Sequence, residues 1–98
     1  MFKPKVSIII VNWNGKRFLR DCFDSLMAQT YRDFEVVFVD NDSKDESVSF
    51  VKEYFPETKI ITLTDNLGFA EGNIIGYKYA RGDYICLLNN DTKVSPIC

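Results

Sequence analysis

The stretch that decides the fold is Lys5-Val6-Ser7-Ile8-Ile9-Ile10-Val11, followed directly by Asn12-Trp13-Asn14-Gly15. A short, continuous run of β-branched residues is typical of a strand that is buried on both faces. The polar residues and the glycine after it favour a turn, so the strand is expected to end there. Two similar runs and one weaker run predict three further strands, at Phe34–Asp40, Asp83–Leu88 and Lys59–Leu63.

Helical patterns separate these strands. The first helix is predicted by one apolar stripe, made of Phe18, Leu19, Cys22, Phe23, Leu26 and Met27. Ser43-Lys44-Asp45-Glu46 has the form of a capping box, which predicts that a second helix starts there. A third helix is expected from Asn66, as its cap, to about Ala80.

Strands and helices therefore alternate along the chain, which predicts an α/β fold. Alternation with short connections favours a mostly parallel sheet with helices on both faces. We predict the strand order 3-2-1-4, with the switch point between strands 1 and 4. Ligands of open parallel sheets bind beyond the carboxyl ends of the strands, close to such a switch point.

Composition and charge exclude several classes of protein. The 98 residues fit one domain, and 12 basic against 14 acidic side chains give a net charge of −2, which argues against a nucleic-acid partner. The longest apolar runs are far shorter than the roughly 18–20 residues of a membrane span, and the first run is too short for a secretory signal. We therefore expect a cytoplasmic protein.

The chain contains no histidine, which removes Ser-His-Asp and Cys-His catalysis and makes a zinc site improbable. The three cysteines are Cys22, Cys86 and Cys98. An odd number without close spacing argues against a disulfide framework. We expect Cys22 and Cys86 to be small buried hydrophobic residues.

Polar residues follow every predicted strand. They are Asn12, Trp13 and Asn14 after the first, Asp40 and Asn41 after the second, Asn66 after the third, and Asn89, Asn90 and Asp91 after the fourth. Taken one loop at a time, such residues simply make turns and caps. Four loops that meet at one sheet edge favour a binding site instead.

The kind of ligand follows from what is missing and what is present. The chain has neither a G-x-G-x-x-G motif nor a P-loop after its first strand. Phosphates would then be held through Mg²⁺ or Mn²⁺, with Asp91 as the best candidate metal ligand. Asp40 or Asn41 suits the N–H donors of a pyrimidine ring. Trp13 either lies beside the base or packs in the core.

The third predicted helix carries glycines at every fourth position, Gly68, Gly72 and Gly76. Each costs a helix roughly 1 kcal/mol relative to alanine, so something must approach this face closely. We favour packing on the sheet, with a ligand as the alternative. The free N–H groups near Asn66 could face an anion, and Asn73 would lie near the same edge.

Four sequence blocks together resemble family 2 glycosyltransferases of the GT-A fold, and their residues are most similar to those of the rhamnosyltransferase-like branch. The blocks are Pro4–Gly15, Val39–Ser47, Asp65–Asn73 and Gly82–Thr92, which include Asn-Leu-Gly-Phe-Ala and Asn-Asn-Asp-Thr. The resemblance covers essentially the whole chain, in order. It implies a Rossmann-like GT-A half.

The resemblance implies inverting transfer of a sugar from a nucleoside-diphosphate donor of the UDP or dTDP type. In such enzymes the end of the first strand and the aspartate of the second hold the nucleoside, which here implies Val11, Trp13 and Asp40, with Asn41. The D-x-D-type metal motif corresponds to Asn89-Asn90-Asp91, in which only Asp91 keeps a carboxylate. Asn89 and Asn90 would bind ribose or phosphate, or reach the metal through water.

The resemblance also implies that residues 1–98 form the nucleotide-sugar-binding part of a larger enzyme. The general base, an aspartate or glutamate, and the site for a saccharide or lipid-linked acceptor are expected beyond Cys98. We therefore expect the chain to bind nucleotide without turnover. The uncovered side of the fourth strand predicts a homodimer. Related enzymes act in polysaccharide or cell-wall synthesis, many at the cytoplasmic membrane face.

Two other classes compete with this interpretation. One is a receiver-like signalling domain in which Asp40 accepts a phosphoryl group. A receiver needs acidic residues after its first strand, where this chain has Asn12, Trp13 and Asn14. The other is a nucleotide-binding module without catalytic function.

Overall fold

A computed structural model describes residues 3–92, so Cys98 and both ends of the predicted domain lie outside the described residues. Strands and helices alternate as predicted. They are β1 (Val6–Asn12), α1 (Lys16–Met27), β2 (Phe34–Asp40), α2 (Ser47–Tyr54), β3 (Lys59–Thr62), α3 (Phe69–Tyr79) and β4 (Tyr84–Asn89). Within residues 3–92, no helix has the length and apolar character needed to cross a bilayer.

All strand pairs in the four-stranded sheet are parallel, and the order is β3-β2-β1-β4, as predicted. Asn12 lies opposite Asp40 in the register of β1 with β2. Val11 lies opposite Asn89 in the register of β1 with β4. The carboxyl ends of β1, β2 and β4 therefore meet at one edge of the sheet.

Helices cover both faces of the sheet, which confirms the predicted layers. On one face, α1 and α2 bury Phe23 and Val51 against side chains such as Ile8 and Phe38. The Phe23 ring meets that of Phe38 edge to face, with 5.9 Å between centroids. On the other face a smaller cluster lies under α3, made of Ile9, Val11, Val37 and Val39.

Two glycines allow α3 to approach the sheet closely. A Cβ atom on Gly72 would lie 2.7 Å from a methyl carbon of Val11, and one on Gly76 would lie 2.6 Å from a methyl carbon of Ile9. The prediction of close packing is confirmed for these two. Gly68 instead precedes the helix, where its φ of 90° suits a residue without a side chain.

The predicted capping box at Ser43–Glu46 is wrong. The helix α2 begins only at Ser47, and Glu46 before it has a left-handed φ of 69°. The Ser43 oxygen accepts no helical N–H, because it accepts the N–H of Asn14 at 2.8 Å and Asn12 Nδ2 at 3.2 Å. Donors from the end of β1 and the turn after it therefore occupy the oxygen that the motif would assign to the helix.

Asn66 also differs from its predicted role as a helix cap. The helix α3 begins at Phe69, with Gly68 before it and no side-chain cap. Asn66 Oδ1 accepts the N–H of Gly68 at 2.9 Å. Asn66 thus shapes the loop that enters α3 and does not cap the helix.

Asp45 supplies a cap that the sequence pattern did not indicate. One carboxylate oxygen accepts the N–H of Lys16 at 2.9 Å, and the other accepts the N–H of Ser47 at 3.0 Å and the Ser47 hydroxyl. Lys16 and Ser47 are the first residues of α1 and α2, whose first N–H groups lack partners within their own helices. One carboxylate therefore joins two helix N-termini.

We predict a pH-dependent loss of stability on replacing Asp45 with alanine. Partial burial raises the pKa of Asp45, but hydrogen bonds from the Ser47 hydroxyl and the N–H groups of Lys16 and Ser47 outweigh it and hold the pKa below its usual value. A lowered pKa stabilises the fold above the unfolded value of about 3.9, and this contribution is lost as the pH falls through the folded value.

Chemical unfolding at pH 7 and pH 3 checks this prediction. Asp45→Ala should lose about 1–2 kcal/mol of unfolding free energy at pH 7, the usual range for a lost cap, and less at pH 3. Asp21→Ala on the exposed surface of α1 is the control and should show neither effect. An equal loss at both pH values would contradict the charged-cap interpretation.

The edge strand β4 is largely uncovered, as predicted for the fourth strand, although one of its side chains was predicted to be buried. Cys86 is exposed, so its predicted burial is wrong, whereas Cys22 is buried as predicted. Tyr84 is 62% exposed and Leu87 57%. In the described part of the chain, α3 packs on β1 and β2, which leaves both faces of β4 largely open.

A polar network ties the amino ends of three strands together. Ser7 donates its hydroxyl proton to Glu35 Oε2 at 2.6 Å and accepts the N–H of Gly82 at 2.8 Å. The same glutamate oxygen accepts the N–H of Arg81 at 2.7 Å. Burial raises the pKa of Glu35, yet these hydrogen bonds and the charges of Arg81 and Lys59 bring it below its usual value.

Candidate functional site

A cavity of about 370 Å³ opens at the carboxyl edge of the sheet, within the size range of small-molecule sites. Residues from the carboxyl ends of β1, β2 and β4, from the loop between β3 and α3, and from the start of α3 surround it. They are Val11, Trp13, Asn41, Asn66, Gly68, Phe69, Asn89, Asn90 and Asp91. All except Phe69 are among the predicted site residues.

Phe69 is the lining residue that sequence reasoning missed as a site residue. It is the first residue of α3 and is 55% exposed. The signal was its place in the Asn-Leu-Gly-Phe-Ala block, between Gly68 and the helix. Trp13 is 56% exposed in the wall of the same cavity, which argues against the core-packing alternative for this residue.

Asn41 holds one wall of the cavity in place. Its side chain is buried, donates to the Gly68 carbonyl at 3.1 Å and accepts the N–H of Leu67 at 3.2 Å. Both ends of the amide therefore bind the loop before α3. This loop approaches β2 closely because Asn41 fixes it there.

Asp40 and Asn12 lie behind the cavity and are not among its lining residues. Asp40 is 3% exposed, and its carboxylate accepts hydrogen bonds from Asn12 Nδ2 at 2.9 Å, from the Ser43 N–H at 2.8 Å and from the Ser43 hydroxyl. In this arrangement the carboxylate supports the strand ends. Its predicted contact with a nucleoside stays a prediction.

Asn14 and Asn73 also lie outside the cavity lining. Asn14 has a left-handed φ of 51°, accepts the N–H of Lys44 at 2.7 Å and donates its own N–H to Ser43. It therefore orders the turn after β1. Asn73 is half-buried on α3, one turn in from Phe69. A nucleotide contact for either residue stays a prediction.

Asp91 is the only acidic or basic residue among the described residues that line this cavity. Burial, and then the negative charge of Asp91, raise the pKa of the Cys22 thiol to about 11. The thiol donates weakly to the Asn89 carbonyl at 3.9 Å. Cys22 is thus a protonated, inert support beneath the carboxyl end of β4.

The donor set at this rim fits a hard divalent cation that also binds a ligand. Within residues 3–92 no group of three or more histidine, cysteine, aspartate or glutamate side chains could hold a metal by itself. The cavity instead offers the Asp91 carboxylate and the side-chain amides of Asn89 and Asn90. Mg²⁺ and Mn²⁺ accept such oxygen ligands and need only one or two carboxylates when phosphates complete the shell.

A larger cavity, of about 940 Å³, lies at the opposite edge, around the amino ends of β2 and β3. Its cationic side chains already have structural partners. Lys59 donates to the carbonyl of Tyr79 at 3.2 Å and Arg32 donates to that of Met27, so both bind the ends of helices. Arg81 forms an ion pair with Glu35 at 3.5 Å. We therefore place the functional site in the smaller cavity, where the strand ends converge.

The family model described as glycosyl transferase family 2 matches residues 7–98. The chain belongs to glycosyl transferase family 2. An uncharacterized glycosyltransferase of Rickettsia prowazekii is 35% identical over 97 residues, which are 98% of this chain and 30% of the relative. The uncharacterized glycosyltransferase EpsJ of Bacillus subtilis is 34% identical, over 94% of this chain and 27% of its own length.

Solved structures of this fold include Staphylococcus aureus TarS 1–349 in complex with UDP. Its TM-score is 0.88 at 26% identity, over 95% of this chain and 29% of TarS 1–349. The mannosyltransferase PcManGT of Pyrobaculum calidifontis, in complex with GDP-Man and Mn²⁺, has a TM-score of 0.81 at 24% identity, a likeness of fold alone. The family 2 chain thus spans less than a third of the length of these relatives.

Proposed function

We propose that this chain is the nucleotide-sugar-binding part of a glycosyltransferase, and that the cavity beside Trp13 and Asp91 binds the donor nucleoside diphosphate. The observation that carries the proposal is the convergence of three strand ends and the loop between β3 and α3 on one cavity. Support comes from TarS, whose structures include complexes with UDP and with UDP-GlcNAc. We infer a UDP- or dTDP-type donor.

The charge of the cavity supports metal-dependent binding of the diphosphate. A diphosphate is strongly anionic, and the one acidic or basic residue among the described lining residues, Asp91, is a carboxylate as well. Like charges at close range repel, so binding needs a cation between them. We propose Mg²⁺ or Mn²⁺ beside Asp91, where it would neutralise charge on the departing diphosphate.

Roles for the other lining residues follow from their positions. Trp13 offers a flat, exposed ring next to Val11 at the end of β1, suited to contact with a base. The amides of Asn89 and Asn90 suit ribose or phosphate groups, or contact with the metal, directly or through water. Phe69 adds a second aromatic wall from the start of α3.

Several finer expectations stay predictions. These are inversion at the sugar carbon, a general base and acceptor site outside residues 1–98, a saccharide or lipid-linked acceptor, a role in polysaccharide or cell-wall synthesis, cytoplasmic localisation and a homodimer through β4. The chain is expected to bind nucleotide without turnover. Detection of sugar transfer by the 98-residue chain alone would contradict that part.

Fluorescence of Trp13, the single tryptophan, tests the proposed function. Titration with UDP and dTDP should change its emission, and Mg²⁺ should tighten diphosphate binding about tenfold or more, equivalent to about 1.4 kcal/mol. UMP, which lacks the second phosphate, should gain much less from Mg²⁺. EDTA provides the metal-free reference.

The variant Asp91→Ala should bind UDP with the same affinity in Mg²⁺ and in EDTA. Asp65→Ala is the matched control, because Asp65 is an exposed aspartate in the loop after β3 that does not line the cavity. This control should keep the full effect of Mg²⁺. The metal role would be overturned if Mg²⁺ did not change the UDP affinity of the wild type and if Asp91→Ala bound UDP as tightly as the wild type. The proposed function would be overturned if the wild type bound no nucleotide.

A further inference from the structure

A line of hydrogen bonds runs from Asp40, through Asn12, to the cavity residue Asn90. Asn12 donates from Nδ2 to Asp40 Oδ1 at 2.9 Å. Asn12 Oδ1 then accepts from Asn90 Nδ2 at 2.7 Å. Asn12 is 1% exposed and Asp40 3%, so the line is built into the interior and ends at the cavity rim.

The direction of this line is fixed by chemistry. A carboxylate only accepts hydrogen bonds, so the amide group of Asn12 must turn its NH₂ toward Asp40. Its second N–H reaches Ser43 Oγ at 3.2 Å. The oxygen of Asn12 consequently faces Asn90, which must donate from its own NH₂. The side-chain oxygen of Asn90 takes no part in this hydrogen bond between the two amides.

Gly15 provides the space in which the bridge lies. A Cβ atom at residue 15 would come within 2.2 Å of Asn90 Nδ2 and 2.6 Å of Asn12 Oδ1. Real Cβ atoms do not approach other atoms so closely, so any side chain here displaces the two amides. The glycine before α1 is thus required by the contact between β1 and β4 and not only by the turn.

We propose that Asn12, held by Asp40, is a positioning residue that keeps the carbonyl oxygen of Asn90 free toward the cavity, where it joins Asp91 as an oxygen ligand for a divalent cation. Asn90 and Asp91 are neighbours in sequence and both line the cavity. An Asn90 amide with the opposite orientation would present N–H donors to the cation and repel it. The proposal rests on the proposed function and adds to it the origin of the second oxygen.

A double-mutant cycle on the cation effect tests this inference in the full chain. The quantity measured is the ratio of UDP affinity in Mg²⁺ to that in EDTA. Gly15→Ala and Asn90→Ala should each reduce the ratio about tenfold. This is the lower end of the loss in metal affinity seen when a residue that orients a metal ligand is removed. The double variant should lose no more than Asn90→Ala alone, because both changes remove the same oriented oxygen.

The metal-free affinity for UDP separates positioning from general damage. This affinity should change less than about twofold in Gly15→Ala, because the orientation of the Asn90 oxygen matters only when a cation is bound. Additive losses in the cycle, or equal weakening with and without Mg²⁺, would overturn the inference. Absence of a Mg²⁺ effect in the wild type would overturn the proposed metal role as well, so the two failures are distinguishable.

A measurement on the wild type keeps the test independent of variant folding. Nuclear Overhauser contacts between the Asn90 NH₂ protons and the Gly15 Hα protons should persist when Mg²⁺ and UDP are bound, since the NH₂ remains on Asn12. Loss of these contacts on binding would show that the NH₂ swings toward the ligand. That result would contradict the inference whatever the variants do.

Discussion

Replacing Asp40 with alanine is expected to lower the free energy of unfolding by about 3–5 kcal/mol, because three donors would lose a buried carboxylate acceptor. Those donors are Asn12 Nδ2 and the N–H and hydroxyl of Ser43. The site is 3% exposed, so water cannot easily replace the carboxylate. No other aspartate in the described chain accepts hydrogen bonds while so deeply buried.

Urea unfolding followed by far-ultraviolet circular dichroism measures this effect. Asp40→Asn keeps the shape and should cost less, since one oxygen still accepts from Asn12 while the new NH₂ opposes the Ser43 N–H. Asp24→Ala, on the exposed side of α1, is the matched control and should stay within about 0.5 kcal/mol. A loss at Asp40 no larger than the control's would show that the buried network does not stabilise the fold.

Gly82→Ala is expected to destabilise the chain by about 2–4 kcal/mol, combining an overpacked contact with a damaged hydrogen-bond network. A Cβ atom at residue 82 would lie 2.6 Å from the backbone nitrogen of Ser7 and 2.8 Å from the carbonyl carbon of Val6. Backbone cannot rotate away as a side chain can. The β4 strand would have to move from β1, which would break the bond from the Gly82 N–H to Ser7.

Thermal unfolding provides the comparison for Gly82→Ala. Asp83→Ala, at the next position, is the control. It removes only an exposed ion pair with Lys3, at 3.1 Å, a kind of contact worth about 0–1 kcal/mol. A Gly82→Ala protein that melts together with its control would mean that β4 is not held against β1 by this network.

The arrangement of the sheet could be predicted from sequence because its signals are local. The buried strand β2 was predicted with its observed bounds, since a continuous apolar run ends abruptly in Asp40. The observed β1 and β4 each extend one residue further at the carboxyl end than predicted, to Asn12 and Asn89. Polar residues at these ends still pair with the neighbouring strand, which composition alone does not indicate.

Competition among polar side chains could not be predicted from sequence. Ser43 matches the first position of a capping box, but its oxygen accepts the N–H of Asn14, in the turn after β1. Asp45, two residues further on, caps α1 as well as α2, and the contact with Lys16 is 29 residues distant. Such choices depend on which acceptor the fold brings nearest.

The sequence could predict that the candidate site is formed by strand ends, but not which of their side chains line the cavity and which support it from behind. Asn41, Asn90 and Asp91 line the cavity, whereas Asp40 and Asn12 lie just behind it. Sequence spacing places all of them at one edge and does not say which side chains face inward. The burial of Cys86 was overestimated because α3 packs on β1 and β2 and leaves the faces of β4 open in the described part of the chain.

The most direct test of the central claim is a map of amide shifts in ¹H–¹⁵N spectra as UDP and Mg²⁺ are added to the chain. We predict that the affected amides cluster at the carboxyl edge of the sheet, at Val11, Trp13, Gly68 and Asp91, while Lys59 at the opposite edge is unchanged. Shifts concentrated around the larger cavity at the amino edge, or no shifts at saturating UDP, would contradict the account.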